Sequence, residues 1–263
     1  MSTLLQNEPD QRVVADCGLV SVIMPNYNSE KFVTDTIKSV LAQTYKNWEL
    51  IFVDDCSTDN SLDIVRSFAD ERIKIIKCET NGGAAVARNV AIDAARGRWM
   101  AFLDSDDIWH PQKLERQLAF MTENNYGFSF THYGVIDDGN KEISEFKPVK
   151  DKYSYRDILK HNHIGCLTAV YDVEALGKVY MPTNAAKRED LACWLAILRS
   201  GTEAYCLHDV LASYKVHSGS VSSNKVKMIK YQWNVYRKVE RMNPFKSAYY
   251  LIHWGISGIF KYR

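Results

Sequence analysis

Apolar runs broken by polar chain set the rhythm of the first hundred residues. Leu19 to Met24 is rich in β-branched residues and predicts a buried strand, closed by Pro25-Asn26-Tyr27-Asn28. Phe32, Val33, Ile37, Val40 and Leu41 then recur at helical spacing. Trp48 to Val53 predicts a second strand, ending in Asp54-Asp55. Ser57 or Thr58 stands where a cap belongs, ahead of a helix with Leu62, Val65 and Phe68 inward. Arg72 to Cys78 predicts a third strand, running out to Asn81-Gly82-Gly83. A small-residue helix follows over 84–96, with Gly97 as its stop. Trp99 to Leu103 predicts a fourth strand, which ends abruptly in Asp104-Ser105-Asp106-Asp107.

The second half is less regular. Pro111 opens a helix with Leu114, Leu118 and Met121 inward. Tyr126 to His132 reads as a strand, Asp138-Gly139 as a hairpin turn, and Leu167 to Tyr171 as another strand. Between them periodicity is weak, with Ser154 placed to cap a short helix. Leu191, Trp194, Leu195 and Leu198 form one helix face that Gly201 ends, so Glu189 and Asp190 fall in its first turn. There acidic side chains also suit the helix dipole.

Strand and helix in alternation predict an α/β fold with a mostly parallel sheet and crossover helices. Four successive strands deliver polar groups to one edge, where open α/β sheets bind ligands. The fourth is the most telling. Uncompensated carboxylates are not buried cheaply, so Asp104 and Asp106 belong at an open strand end. Two apart in extended chain, they face the same side. Paired hard oxygen ligands suit Mg²⁺ or Mn²⁺. Standing alone, such a triplet is more often a solvated turn, with Asp107 capping the next helix. No G-x-G-x-x-G follows the first strand and no G-x-x-x-x-G-K-[ST] occurs, which argues against dinucleotide and P-loop chemistry.

Net charge is +1 over 263 residues, so no global basic field points to nucleic acid. The average hides a tail: residues 225–263 hold nine Lys or Arg and one Glu. Of the six cysteines none forms a C-x-x-C pair, which gives no support for a zinc or thioredoxin motif and suggests reduced thiols in a cytoplasmic chain. The polar start carries no secretory signal, and no apolar run reaches a membrane span.

The runs Val20-Ser21-Val22-Ile23-Met24-Pro25-Asn26-Tyr27-Asn28, Val53-Asp54-Asp55-Cys56-Ser57-Thr58-Asp59, Asn81-Gly82-Gly83 through Ala87-Arg88-Asn89, and Gly97 leading into Leu103-Asp104-Ser105-Asp106-Asp107 together resemble glycosyltransferase family 2, the inverting nucleotide-sugar enzymes of GT-A fold. Cys56 departs from the small residue usual there. The resemblance implies that Pro25, Asn26 and Tyr27 line the base pocket and that Asp55 accepts from the base, most often uracil. It implies donor contacts for Asn81, Gly83, Arg88, Asp104 and Ser105, and a divalent metal, Mn²⁺ or Mg²⁺, on Asp106 with Asp104. Glu189-Asp190 resembles the family's ED-x-x-x-W segment, with Asp190 as catalytic base and Glu189 beside it. Tyr214 to Ser222 resembles the segment that closes over the diphosphate, offering His217 to the metal and Lys215 to the leaving group. Asp54, Asp59, Arg88 and Asn81 also have plain structural uses as caps, turn formers or a solvated side chain.

The implied organisation is a loose 1–18, a catalytic unit 19–222 split near 110 into nucleotide and acceptor halves, and a basic amphipathic tail 223–263. Tyr153, Tyr155, His161 and His163 lie in the acceptor region, where ordinary packing competes with sugar stacking. The implied reaction is sugar transfer from a nucleoside-diphosphate donor, UDP-linked by preference, to a saccharide or lipid-linked acceptor in bacterial surface polysaccharide synthesis. In the tail, Val226, Ile229, Trp233 and Tyr236 run beside Lys225, Lys227, Lys230, Arg237 and Lys238, and an apolar stretch from Ala248 to Phe260 is flanked by Lys246, Lys261 and Arg263. Such a tail suits an anionic membrane surface on the inner face of the cell membrane, a dimer contact, or docking on the catalytic unit. The rival readings are a sugar nucleotidyltransferase, whose early basic glycine-rich loop is missing, and a non-catalytic nucleotide-sugar-binding subunit.

Overall fold

The computed structural model describes residues 16–217 and 225–260. In chain order the elements are β1 (Val20–Asn26), α1 (Val33–Leu41), β2 (Trp48–Asp54), α2 (Ser61–Arg66), β3 (Ile73–Lys77), α3 (Ala84–Ala94), β4 (Trp99–Phe102), β5 (Ile108–Trp109), α4 (Lys113–Asn124), β6 (Phe128–Ile136), β7 (Glu142–Phe146), β8 (Lys152–Tyr153), α5 (Tyr155–Lys160), β9 (Val170–Asp172), α6 (Val173–Leu176), α7 (Glu189–Arg199), β10 (Ala204–Lys215), α8 (Lys225–Asn234) and α9 (Pro244–Phe260).

The strands join in one sheet of order β3-β2-β1-β4-β9-β6-β10-β5, with β7 attached to β6 and β8 to β10. β1 runs parallel to β2 and β4, β2 to β3, and β6 to β10. β9 is antiparallel to both β4 and β6. Two reversals restore direction, so β6 and β10 point the same way as β1 to β4. The carboxyl ends of these strands therefore open on one edge of the sheet.

Alternation along the buried strands feeds two apolar layers. Leu50 and Phe52 meet α1 and α4 on one face through Ile37, Val40, Leu114 and Leu118. Ile51 and Val53 meet α3 and α7 on the other, with Trp194, Leu195 and the tail residues Val235, Tyr236 and Tyr250. The tail is thus docked on the catalytic unit. The Tyr236 hydroxyl donates to the Leu159 carbonyl at 2.6 Å, and Arg199 pairs with Glu240 at 2.6 Å.

Several local expectations are corrected. At the end of the segment 1–18 expected to be loose, the described residues 16–18 are tied down: Asp16 Oδ1 accepts from Gly18 N, Tyr45 Oη and Asn47 Nδ2, and the Cys17 carbonyl accepts from the Trp99 indole at 2.8 Å. Residues 1–15 lie outside the described residues. α2 begins at Ser61, and neither Ser57 nor Thr58 caps it. The Ser57 hydroxyl instead meets Asn26 and Asn28, and Thr58 N donates to the Asn28 side chain. α3 stops at Ala94, before Gly97. Gly97 is required for close approach, since a Cβ there would meet the Leu19 carbonyl oxygen and the Ser21 nitrogen at 2.6 Å. The strand expected at Leu167 is a 3₁₀ turn, Cys166–Thr168, followed by β9. The Ser154 cap is present as a full capping box with Asp157, and Asp137 orders the β6–β7 hairpin by accepting from Gly139 N and Lys141 N.

Candidate active site

At the end of β1, Asn26 is buried, donating 3.0 Å bonds to Asp54 Oδ1 and Ser57 Oγ. Pro25 is buried within the strand, whereas Tyr27 is 54 % exposed at its mouth. Next to them, Asp55 accepts from Gly82 N at 2.8 Å and Gly83 N at 2.7 Å, one oxygen to each. Asn81 completes the turn by donating to the Asp55 carbonyl at 2.9 Å. Asp55 therefore holds the glycine turn that opens α3, and the N–H groups of Gly82 and Gly83 are spent on its carboxylate. Asp54 accepts from Asn26 and Ser57 N, and Asp59 from Glu30 N and Ser61 N. Both are structural braces.

The acidic stretch after β4 is a turn rather than extended chain, with Asp107 N donating to the Asp104 carbonyl at 3.1 Å. Each carboxylate has its own partner. Asp104 Oδ1 takes Arg88 Nη2 at 2.5 Å, and Asp106 Oδ2 lies 3.0 Å from His217 Nε2. Asp107 is 1 % exposed and accepts from Lys215 N at 3.0 Å, so it fastens the end of β10 and caps no helix. The Ser105 carbonyl is held by Thr36 Oγ1 at 3.0 Å. Burial, then the neighbouring Asp104 charge, raises the Asp106 carboxyl above the ordinary range, against a lowering pull from His217. The His217 ring packs 4.7 Å from Phe32. Lys215 is nearly buried, and its ammonium donates to Asn140 Oδ1 at 2.7 Å, tying the β6–β7 turn to this edge. Residues 218–222 of the same segment lie outside the described residues.

Glu189 and Asp190 enter from the first turn of α7. Arg88 spans the gap, its Nη1 3.4 Å from Glu189 Oε1 while Nη2 holds Asp104. Burial opposes the guanidinium charge, but the flanking carboxylates hold it protonated. Asp190 is partly buried, 3.4 Å from Asn162 Nδ2. Burial, then the adjacent Glu189, raises its carboxyl above the ordinary aspartate value. Burial raises the Cys166 thiol well above its ordinary value, Arg88 lowers it, and the Asp104, Asp190 and Asp107 charges raise it further.

The aromatic candidates of the acceptor region divide otherwise. Tyr153 is core, packed on Phe130 and His163, and the Tyr155 hydroxyl binds Glu240 of the tail. All six cysteines are free thiols. One grouping escaped spacing rules: His132, Cys206 and His208 bring ligand-type atoms within 4.8 Å of one another across β6 and β10.

Two carboxylates and an imidazole on one edge make a hard-oxygen and nitrogen donor set of the kind that holds Mn²⁺ or Mg²⁺. The Asp104 charge acting on Asp106 is a repulsion that a dication would relieve. Beyond the Arg88 bridge, next to Glu189, Asp190 is a partly desolvated carboxylate of a kind suited to accept a proton.

Comparison with known proteins agrees with this architecture. A Bacillus subtilis protein named as a teichuronic acid biosynthesis glycosyltransferase, TuaG, is 44 % identical over 92 % of this chain and 97 % of its own. WfgD of Escherichia coli, named a UDP-Glc:α-D-GlcNAc-diphosphoundecaprenol β-1,3-glucosyltransferase, is 42 % identical over 94 % and 96 %. The crystal structure of S. aureus TarS 1-349 in complex with UDP-GlcNAc superposes with a TM-score of 0.67 at 24 % identity, covering 88 % of this chain and 70 % of that one, a likeness of fold. The family model for glycosyl transferase family 2 matches residues 21–177, and the chain belongs to that family of glycosyltransferases.

Proposed function

We propose that the protein is an inverting hexosyltransferase that moves a sugar from a UDP-linked donor to a hydroxyl of a lipid-linked saccharide in bacterial surface polysaccharide synthesis. The observation that carries the reading is Arg88. It holds Asp104 at the nucleotide edge and Glu189 beside Asp190, so that leaving group and base face one cleft. The names of the full-length relatives WfgD and WfaP, both UDP-glucose enzymes acting on a sugar-diphosphoundecaprenol, support donor and acceptor class.

The donor base lies beside Pro25, Asn26, Tyr27 and Asp55, with the diphosphate toward Asp104 and Asp106. Asp106, Asp104 and His217 would hold a divalent cation, which supplies Lewis-acid neutralisation of the diphosphate when bound. Asp190 accepts the acceptor hydroxyl proton as that oxygen attacks the anomeric carbon from the side opposite the diphosphate. The bond from anomeric carbon to phosphate oxygen breaks as the new glycosidic bond forms. One displacement inverts the centre and leaves no covalent sugar on the enzyme. Lys215 and Asn140 keep the β6–β7 turn closed against this edge.

The test is transfer from UDP-glucose and a panel of other nucleotide sugars to a polyprenyl-diphosphate-linked N-acetylhexosamine, with product linkage read by NMR. Inverted product from a UDP-hexose is expected. Donor binding without transfer to any sugar acceptor would sink the reading in favour of a binding subunit.

A further inference from the structure

We infer that the outward face of α9 is a seat for an anionic bilayer, fixed so that the acceptor's lipid carrier stays in the membrane while its sugar reaches Asp190. This rests on the lipid-linked acceptor proposed above. The helix has two apolar faces. One is spent on the fold: Ser247 and Tyr250 are buried, and Trp254 lies under Arg188, guanidinium carbon 5.4 Å from the ring centroid. The other is uncovered. Phe245, Tyr249, Ile252 and Ile256 are 88 %, 51 %, 62 % and 48 % exposed. Their spacings of four, three and four residues place them in one narrow stripe. The stripe is about 16 Å long at 1.5 Å per residue.

Charge decides the occupant. Lys230 on α8, and Lys238, Arg241 and Lys246 after it, are exposed. The one acidic residue of the region, Glu240, is occupied by Arg199 and Tyr155. A second copy docked through the same face would set these cations against their equals, whereas an anionic lipid surface complements them. Among the described residues no helix is long and apolar enough to cross a membrane, so α9 lies on the surface, the arrangement suited to an apolar stripe with basic flanks. Arg188 immediately precedes Glu189 and Asp190, so the seat and the base are one packed unit.

The experiment sediments the full chain with vesicles of phosphatidylcholine alone or equimolar phosphatidylcholine and phosphatidylglycerol, for wild type, F245S/I252S and K246E. Wild type should partition into the anionic vesicles and be released by high salt. The double substitution should lower partition by about tenfold, and K246E should weaken it chiefly at low salt. All three should keep their circular dichroism and their transfer to a short-chain, detergent-soluble acceptor. Equal binding by F245S/I252S, or no binding by wild type, overturns the seat. So does a wild-type dimer in light scattering that F245S/I252S dissolves. Transfer to the soluble acceptor without vesicle binding sinks the seat alone, and vesicle binding without transfer sinks the enzymatic reading alone.

Discussion

Arg88 Nη1 lies 3.4 Å from Glu189 Oε1, across 101 residues of chain. Its other nitrogen holds Asp104, so one buried guanidinium joins the chain just after β4 to the first turn of α7. Replacing it leaves two carboxylates facing each other. Arg88→Ala should lower stability by about 3 kcal/mol and cut transfer further than donor binding. Arg88→Lys should recover part of the stability and little of the transfer, because one ammonium does not reproduce the fork. Denaturant titration beside single-turnover kinetics checks both.

Asp190→Asn keeps size and hydrogen-bonding shape but cannot take the acceptor proton. The turnover rate should fall about 10²- to 10⁴-fold, with UDP-sugar affinity unchanged by calorimetry. An undiminished rate would remove the base assignment.

As the proposed base Asp190 acts only when ionised, and burial with the Glu189 charge raises its carboxyl. The sign follows directly. A raised acid is protonated earlier as pH falls, so the acid limb of the rate should stand above the ordinary aspartate value of about 3.9. Glu189→Gln removes the neighbouring charge and should move that limb to lower pH. A pH–rate profile of the two proteins reads the shift.

Chelation should abolish transfer, and Mn²⁺ or Mg²⁺ should restore it. Asp106→Asn should raise the metal concentration needed by about tenfold or more, since an anionic oxygen ligand is lost. Activation titrations with each ion measure this.

Gly97→Ala forces a methyl group onto the Leu19 carbonyl and Ser21 nitrogen. Both are backbone atoms of the β1 edge, so neither can rotate away. A loss of about 1–3 kcal/mol is expected, measured by thermal unfolding, with the surviving folded fraction binding donor normally.

Much of the fold from β1 to β4 was legible because its strands carry their own punctuation. Pro25-Asn26, Asp54-Asp55, Asn81 to Gly83 and Asp104 to Asp107 each mark a strand end, and parallel connection follows from the intervening helices. The reversal at β9 was not, since a three-residue apolar strand after a 3₁₀ turn carries no sign of its direction. Residue types in the site were also readable, but their pairings were not. Arg88 read as a donor contact or a solvated helix residue, and its two carboxylate partners lie far from it in the chain. Asp107 likewise read as a cap because its partner, Lys215 N, lies 108 residues away. The His132, Cys206 and His208 grouping arises only when β6 and β10 come side by side.

β7 and β8 hang from the flanks of the strand order rather than interrupting it. The chain from Ile136 to the start of β9 is therefore an excursion that leaves and rejoins the sheet without altering its sequence of neighbours. On the function proposed above, exchanging that excursion should re-address the enzyme to another recipient sugar while Asp104, Asp106 and Asp107, which lie outside it, keep their places. Such a graft has several stitches to preserve: Asn140 against Lys215, Asn162 beside Asp190, and the Leu159 carbonyl under the Tyr236 hydroxyl.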